Sequence, residues 1–242
     1  MKKRMWMLIL GAVVLIGIVV AIVCFVFLTP KDKTPDFECD EAYQPMLKEF
    51  YEVLAAPDKA ENIYDGLHSV REAALELGAQ ALTTFGYTLQ DVNKDGIEEI
   101  FIGHFDNTDG VKNEIYAAFT HDGQSLIPLF EKQKRNTFAL TDAGTFYFYG
   151  SDGAKYHILA EYELTADREL VCKDYYFTYP KGGNDEAFGY YHNITGEWDV
   201  KSSEALDMTP VAFEELRKSL ADRTVSLDDV KFSETGNGKS AK

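Results

Sequence analysis

The chain has 242 residues, with 24 Lys and Arg against 40 Asp and Glu, and a formal net charge of −16 at pH 7. Because nucleic-acid binding depends on Lys and Arg that neutralise phosphate, this balance argues against a nucleic-acid partner. It also disfavours docking on anionic lipid, while divalent cations and basic partners remain compatible with it. Solvated acidic faces are the simpler explanation of the charge.

The first thirty residues differ from the rest of the chain. Lys2, Lys3 and Arg4 precede 24 uncharged residues, from Met5 to Leu28. A helix of that length spans roughly 36 Å, enough for a hydrocarbon core of about 30 Å. We therefore expect a transmembrane helix at residues 5–28 that anchors the protein in the cell membrane.

A cleaved signal peptide and a lipid anchor are the alternatives to this helix. A signal peptide usually has an apolar stretch of about 7 to 15 residues followed by a small-x-small cleavage site. The segment "VFLTPKDK" offers no such site, and Val23 precedes Cys24 where a lipid-modified cysteine usually follows a small residue. The sequence therefore favours a retained anchor.

The charges around the span predict its orientation. Three basic residues precede it, whereas "TPKDKTPDFECDE" after it carries two lysines and more acids. The positive-inside bias therefore predicts a single-pass protein with a cytoplasmic N-terminus and an extracytoplasmic C-terminal part. The expected organisation is a tail at 1–4, the helix at 5–28, a stalk at 29–37, a domain at 38–232 and a flexible tail at 233–242. Residues 31–242 hold 21 basic and 40 acidic residues, a net charge of −19.

Two cysteines, Cys39 and Cys172, lie in the exported part. In an oxidising compartment they could form a disulfide between the start of the domain and a late strand. Pairing requires Cα atoms within about 7 Å, which sequence spacing does not establish. Free, buried thiols are the alternative.

Helical periodicity begins after the stalk. In "DEAYQPMLKEFYEVLAA" apolar residues recur at steps of three and four, and Pro45 lies near the start, where a helix tolerates it. A second helix is predicted from about Asp58 to Leu82, although Gly66 and Gly78 interrupt its pattern.

From Phe85 onward, aromatic and β-branched runs alternate with turn sequences such as "NKDG" and "SDGA". The runs are 85–90, 97–104, 114–120, 125–130, 136–141, 145–150, 155–164, 169–179 and 187–192. Their spacing, with no helix between them, predicts an antiparallel meander. Thr209 and Pro210 then mark the start of a closing helix. The predicted fold class is α+β, with an N-terminal transmembrane helix followed by helices flanking a meandering antiparallel β-sheet.

The loop "DVNKDGIEE" concentrates oxygen ligands between two of these runs. The ligand frame comprises Asp91, Asn93, Asp95, the carbonyl of Ile97, and Glu99. Such hard oxygens around a tight glycine turn suit Ca²⁺ better than Mg²⁺, which prefers its waters. Two carboxylates about 6 Å apart repel by roughly 3 kcal/mol at an effective dielectric near 20, a cost that a cation removes. The alternative is a metal-free hairpin held by Asx-turns.

An EF-hand does not fit this loop, because Ile102 stands where a bidentate Glu is needed and Glu98 stands at a usually aliphatic position. The loop instead resembles the D-x-[DN]-x-D-G-x-x-[DE] hairpins of FG-GAP and VCBS-type modules, where calcium bridges two β-strands. It occurs once, so a propeller of repeats is not expected. The whole plan resembles uncharacterised bacterial surface proteins with one N-terminal anchor. That resemblance implies a surface location and brings no known activity with it. A calcium ion bound in the loop would be structural, because it would fix the register of the two strands.

Two functional hypotheses follow. No HExxH, G-x-S-x-G or P-loop pattern occurs, which lowers the expectation of an enzyme and assigns no catalytic residue. Five tyrosines of the meander are candidates for a binding surface: Tyr147, Tyr149, Tyr175, Tyr176 and Tyr179. The first hypothesis is a calcium-stiffened module that binds a protein ligand or an envelope component. The alternative is an extracytoplasmic hydrolase with a dispersed acidic site, for which paired carboxylates in a cleft would be the evidence.

Overall fold

The computed structural model describes residues 35, 37–60, 67–106, 110–153, 155–181 and 184–235, without the side chains of 184–187. The transmembrane helix predicted at 5–28, the tail at 1–4 and residues 236–242 of the C-terminal tail lie outside these residues. Among the helices described, none is long and apolar enough to span a bilayer.

In the described part of the chain, three α-helices precede the sheet: α1 (Gln44–Ala55), α2 (His68–Leu77) and α3 (Ala81–Thr84). Helix α1 matches the predicted helix and buries its periodic apolar face. The second predicted helix is not continuous. Residues 57–59 form a turn, 61–66 lie outside the description, and Gly78 ends α2 with a φ of +55°. Glycine adopts this left-handed conformation without steric cost, which explains why the chain breaks there.

All nine predicted strands are present, and two short strands follow that the sequence did not predict. They are β1 (Gly86–Gln90), β2 (Glu99–His104), β3 (Glu114–His121), β4 (Leu126–Glu131), β5 (Asn136–Leu140), β6 (Phe146–Ser151), β7 (His157–Leu164), β8 (Leu170–Lys181), β9 (Asn184–Asn193), β10 (Glu204–Leu206) and β11 (Val230–Lys231). The closing helix α4 (Pro210–Ala221) is capped by the Thr209 hydroxyl, which accepts the Ala212 N–H. The α+β class with a large antiparallel sheet is thereby confirmed.

The described strands form one antiparallel sheet in the order β10-β9-β8-β7-β6-β5-β3-β2-β1-β11. This is a meander with two departures. Strand β4 pairs with one part of the edge of β3, and β5 meets the same edge further along, at Ile115. Strand β11 returns from the C-terminal region to pair with β1.

The sheet curls around an apolar core. Phe101 of β2 and Phe146 of β6 have ring centroids 5.7 Å apart, although β3 and β5 lie between these strands in the sheet. Neighbouring strands lie about 4.8 Å apart, so this contact requires strong curvature. On the outer side, α1 to α3 pack against β1 to β3, and α4 packs Phe213 against Tyr147 of β6.

Candidate functional site

The acidic loop joins β1 to β2, so it is flanked by strands. Asp91 turns its carboxylate back onto the loop, where the two oxygens accept the N–H groups of Asp95 at 3.1 Å and Gly96 at 3.0 Å. Gly96 has a φ of +90° and Lys94 a φ of +61°, so two left-handed residues make the turn tight. Asp91, the first predicted calcium ligand, thereby accepts hydrogen bonds from two backbone N–H groups of the turn.

The next two predicted ligands continue this pattern. Asn93 Oδ1 accepts the N–H of Asp95 at 3.1 Å, and Asp95 Oδ1 accepts the N–H of Ile97 at 2.8 Å. These are Asx-turns, in which a side-chain oxygen reproduces a backbone turn hydrogen bond. The loop thus has an ordered arrangement with its oxygen-bearing side chains directed inward.

A basic side chain from another hairpin meets this loop. Arg168, between β7 and β8, donates from Nε to Asp95 Oδ2 at 2.9 Å. Asn93 Nδ2 donates to the carbonyl of Thr165, in the same turn, at 3.0 Å. Because β1 and β8 are far apart in the sheet order, these contacts join the two halves of the curled sheet. We call them the loop–turn contact.

The pKa of Asp95 reflects these contacts. Burial by itself raises the pKa of Asp95, but the Ile97 N–H and the hydrogen bond and charge of Arg168 outweigh burial, so the pKa lies below its usual range. The side chain of Asp95 is 10% exposed and that of Arg168 is 25% exposed. The loop therefore carries a charged carboxylate with an intramolecular cation beside it.

Glu99, the last predicted ligand, is fully buried at the start of β2. Its Oε2 accepts the Val92 N–H at 3.0 Å and its Oε1 accepts the Thr120 hydroxyl at 3.1 Å. Burial raises the pKa of Glu99, and these hydrogen bonds only partly oppose that rise. Glu99 thus ties the loop to β3.

The donor set fits calcium in kind. Carboxylate and amide oxygens follow one another in a turn, and an oxygen that accepts one hydrogen bond retains a second lone pair. The described residues contain no cluster of three or more His, Cys, Asp and Glu side chains in a metal-binding arrangement. A calcium ion bound through Asp95 would also compete with Arg168 for the same carboxylate.

The five candidate tyrosines do not share one surface. Tyr147 and Tyr175 are buried, at 2% and 4% exposure. Tyr147, Tyr149 and Tyr176 belong to the face covered by α4, whereas Tyr175 packs in the core on the opposite face and Tyr179 is 42% exposed. Side chains alternate across a strand, and the helix covers one of the two faces. The prediction of a single tyrosine surface is therefore corrected.

Of the two alternatives for Cys39 and Cys172, the structure has the one without a disulfide. Cys39 packs at the core beneath the first helices, and Cys172 packs in the core inside the curled sheet. Neither cysteine is part of a disulfide. Burial raises the pKa of Cys172 to about 11, so its thiol is protonated at neutral pH.

Three cavities surround the β5–β6 hairpin and the start of α4. Their volumes are about 590, 570 and 270 Å³. Each is lined by a single acidic residue, namely Glu114, Asp152 and Glu214 respectively. Among the side chains that the structure describes, none of these three cavities therefore contains the pair of carboxylates that would favour the hydrolase.

The two larger cavities bring together residues that the sequence did not single out. Arg135 lines both, and Trp198, 40% exposed, lines the second. Arg135 has a φ of +68° in the turn before β5, and Trp198 follows β9 in an irregular segment, so neither stands in a recognisable motif. No protein-family model matches the chain, and comparisons with curated proteins and with solved structures find no match.

Proposed function

We propose that this protein is a single-pass membrane protein whose extracytoplasmic domain, residues 38–232, binds a ligand or envelope component. The uncharged span from Met5 to Leu28 and the basic residues before it support the anchor and its orientation. The acidity of the remainder supports a soluble exported domain that avoids nucleic acid.

The observation that carries the binding role is the pair of larger cavities. Ligand sites are concave, about 300–1,000 Å³ in volume, and combine aromatic walls with a few polar groups. Both cavities, at about 590 and 570 Å³, lie in this range. Tyr149 in the first, and Tyr156 and Trp198 in the second, supply aromatic walls, while Asn136 supplies an amide to both.

Binding is tested with the full-length chain in detergent, sedimented with insoluble cell-envelope polysaccharide. Trp198→Ala removes an exposed ring from the second cavity and should lower the bound fraction. Ile194→Ala is the matched control, because Ile194 is 65% exposed and lines none of the three cavities. Equal binding by both variants and the parent chain would count against a binding role for this surface.

The membrane orientation has its own test. A C-terminal epitope tag should be cleaved by protease added to intact cells, while an N-terminal tag should be protected. Protection of both tags would refute the extracytoplasmic assignment.

We further propose that a structural calcium ion stiffens the acidic loop through Asp91, Asn93, Asp95, the Ile97 carbonyl and Glu99. Their oxygen chemistry supports this, because carboxylate, amide and carbonyl oxygens around a tight turn suit Ca²⁺. Calcium bound there would hold the start of β2 in register with β1. Calcium sites in extracellular modules commonly have dissociation constants of about 10⁻⁴ to 10⁻³ M.

The calcium proposal is tested by melting the full-length chain with calcium, with magnesium and with chelator. Millimolar calcium alone should raise Tm, since an ion that binds only the folded state stabilises it. Asp95→Ala should abolish that rise. Asp122→Ala is the control, because Asp122 caps another hairpin turn by accepting the Gln124 and Ser125 N–H groups. An unchanged Tm at millimolar calcium would refute the proposal.

A further inference from the structure

The two larger cavities meet at the end of the β5–β6 hairpin. Arg135, Asn136 and Ser151 line both of them. The first cavity includes Tyr149 and the second includes Phe148, and these adjacent strand residues point to opposite faces of the sheet. The cavities therefore lie on opposite faces and adjoin at the end of the hairpin, where the three shared residues border both halves of a cleft. We call it the hairpin cleft.

Aromatic rings form walls at both ends of the hairpin cleft. On one face, the rings of Tyr156 and Trp198 lie 5.5 Å apart in an edge-to-face arrangement, and Tyr179 lies 6.0 Å beyond Trp198. On the other face, the guanidinium of Arg217 lies 5.2 Å from the ring centroid of Tyr149. Trp198 and Tyr179 are exposed, whereas Tyr149 and Tyr156 are half-buried. Such rings offer apolar faces and polar edges, which suit the C–H faces and hydroxyls of a saccharide.

The cations of the hairpin cleft are only partly neutralised. Lys132 pairs with Glu114 at 3.4 Å, and Arg217 pairs with Glu214 at 2.7 Å. Two further bases, Lys134 and Arg135, are exposed at the second cavity. Neither forms an ion pair with any residue that the structure describes. Asp152 is the acid that lines the second cavity with them, so the described lining of that cavity carries two basic residues against one acidic residue, a net positive charge in a domain with a large excess of acids.

We infer that the hairpin cleft binds an extended saccharide chain that carries carboxylates, such as a uronic-acid polymer. Trp198 and Tyr156 stack against sugar rings, Asn136 and Ser151 bond to sugar hydroxyls, and Arg135 pairs with a carboxylate. A guanidinium matches a carboxylate with two parallel hydrogen bonds, which favours this anion.

Two features favour this occupant over others. A cleft that is open across the end of a hairpin accommodates a continuous chain better than a compact molecule. Charges elsewhere on the acidic domain are screened beyond about 8 Å at physiological ionic strength, so the local cations dominate at the rim. Nucleic acid is disfavoured because its dense phosphates require many Lys and Arg contacts, whereas the rim supplies two cations without an ion pair among the described residues, Lys134 and Arg135. The inference names the ligand class of the proposed binding function and rests on it.

The test measures binding of hexagalacturonate, with neutral maltohexaose as the comparison, by the full-length chain in detergent. Trp198 is the one tryptophan besides Trp6, so Trp6→Phe leaves its fluorescence as the readout of stacking. Arg135→Gly removes the guanidinium, and glycine suits the φ of +68° at this position. Arg168→Gly is the matched control, because it removes the same charge from another positive-φ residue, at 64°, outside the cleft.

We expect saturable hexagalacturonate binding that changes Trp198 fluorescence and weakens about tenfold in Arg135→Gly, with little change in Arg168→Gly. Maltohexaose should bind more weakly than hexagalacturonate. Equal weakening by both variants would show non-specific attraction and overturn the inference, as would equal binding of the two sugars. If neither sugar binds but Trp198→Ala still lowers sedimentation with envelope material, the ligand class is wrong while the binding function stands. If sedimentation is also unaffected, both are wrong.

Discussion

Replacing Arg168 with alanine tests whether the loop–turn contact stabilises the curled sheet. The change removes a charge-assisted hydrogen bond of 2.9 Å and leaves Asp95 without its cation. Because the two side chains are 25% and 10% exposed, the pair is largely shielded from solvent. A hydrogen bond to a charged group contributes about 1.5–3 kcal/mol, and an exposed ion pair about 0.2–1 kcal/mol. We therefore expect Arg168→Ala to lower the free energy of unfolding by about 1–2 kcal/mol.

Replacing Arg168 with glycine distinguishes the effect of losing the side chain from the effect of backbone strain at this position. Arg168 has a φ of +64°, a conformation that costs a non-glycine residue about 1 kcal/mol and glycine nearly nothing. Arg168→Gly loses the same ion pair but relieves this strain. Its free energy of unfolding should therefore exceed that of Arg168→Ala by about 1 kcal/mol.

Thermal melting of the full-length chain in detergent and chelator measures these differences. For a domain of this size, about 1 kcal/mol shifts Tm by about 2–4 °C. Arg168→Ala should therefore melt roughly 2–8 °C below the parent chain. If calcium competes with Arg168 for Asp95, added calcium should raise the Tm of Arg168→Ala by more than it raises that of the parent. Melting of both variants at the parental temperature would refute the stabilising role of the contact, and equal calcium shifts would refute the competition.

Four further substitutions test other parts of the fold. Both terminal nitrogens of Arg223 donate to the Glu161 carboxylate, at 3.0 and 3.1 Å. Arg223→Ala should therefore lower the free energy of unfolding, measured by urea denaturation, by about 2 kcal/mol. Burial raises the pKa of Glu161, but the hydrogen bonds and charge of Arg223 outweigh burial, so the pKa of Glu161 lies below its usual range. The stability that the ion pair contributes is therefore present above the usual carboxyl pKa and is lost as pH falls through the lower pKa of the folded state. Glu161→Gln should remove this dependence of the urea midpoint on acid pH. Burial lowers the pKa of His104 to about 4, so the free energy of unfolding should fall as pH drops from about 6.5 towards 4. The urea midpoint should therefore be lower at pH 5 than at pH 7, and His104→Phe should reduce this difference. A methyl group at Gly103 would lie 2.1 Å from the Glu114 carbonyl oxygen, so Gly103→Ala should lower the urea midpoint more than any of these changes.

The strands were predictable because their signals are local. Aromatic and β-branched runs, separated by Asp-Gly turns, identify a meander without knowledge of tertiary contacts. Strands β10 and β11 have three and two residues and are defined by the strands they pair with, so no local period reveals them. Which tyrosines are buried was equally inaccessible, because it depends on where α4 lies.

The candidate site shows the same division between local and long-range information. The Asx-turns of the acidic loop follow from residues two to five positions apart. The partner of Asp95 lies 73 positions along the chain, in a turn that reads only as a break between strands. Arg135 and Trp198 meet at one cleft only after the sheet has curled. Local sequence therefore does not reveal that the guanidinium of Arg168 can offset the repulsion among the loop carboxylates without a metal ion.

The loop–turn contact and the hairpin cleft should be separable, because they depend on different parts of the curled sheet. Arg168 joins the β7–β8 turn to the β1–β2 loop through its hydrogen bond to Asp95. Arg135 lies at the rim of the cleft without an ion-pair partner among the described residues. Arg168→Ala should therefore lower Tm and leave hexagalacturonate affinity unchanged at a temperature well below melting. Arg135→Gly should leave Tm unchanged or slightly raised, since it relieves a positive φ, and should weaken the sugar. If Arg168→Ala weakened sugar binding as much as Arg135→Gly did, the loss would not depend on the cation at the rim, and carboxylate recognition by Arg135 would be overturned.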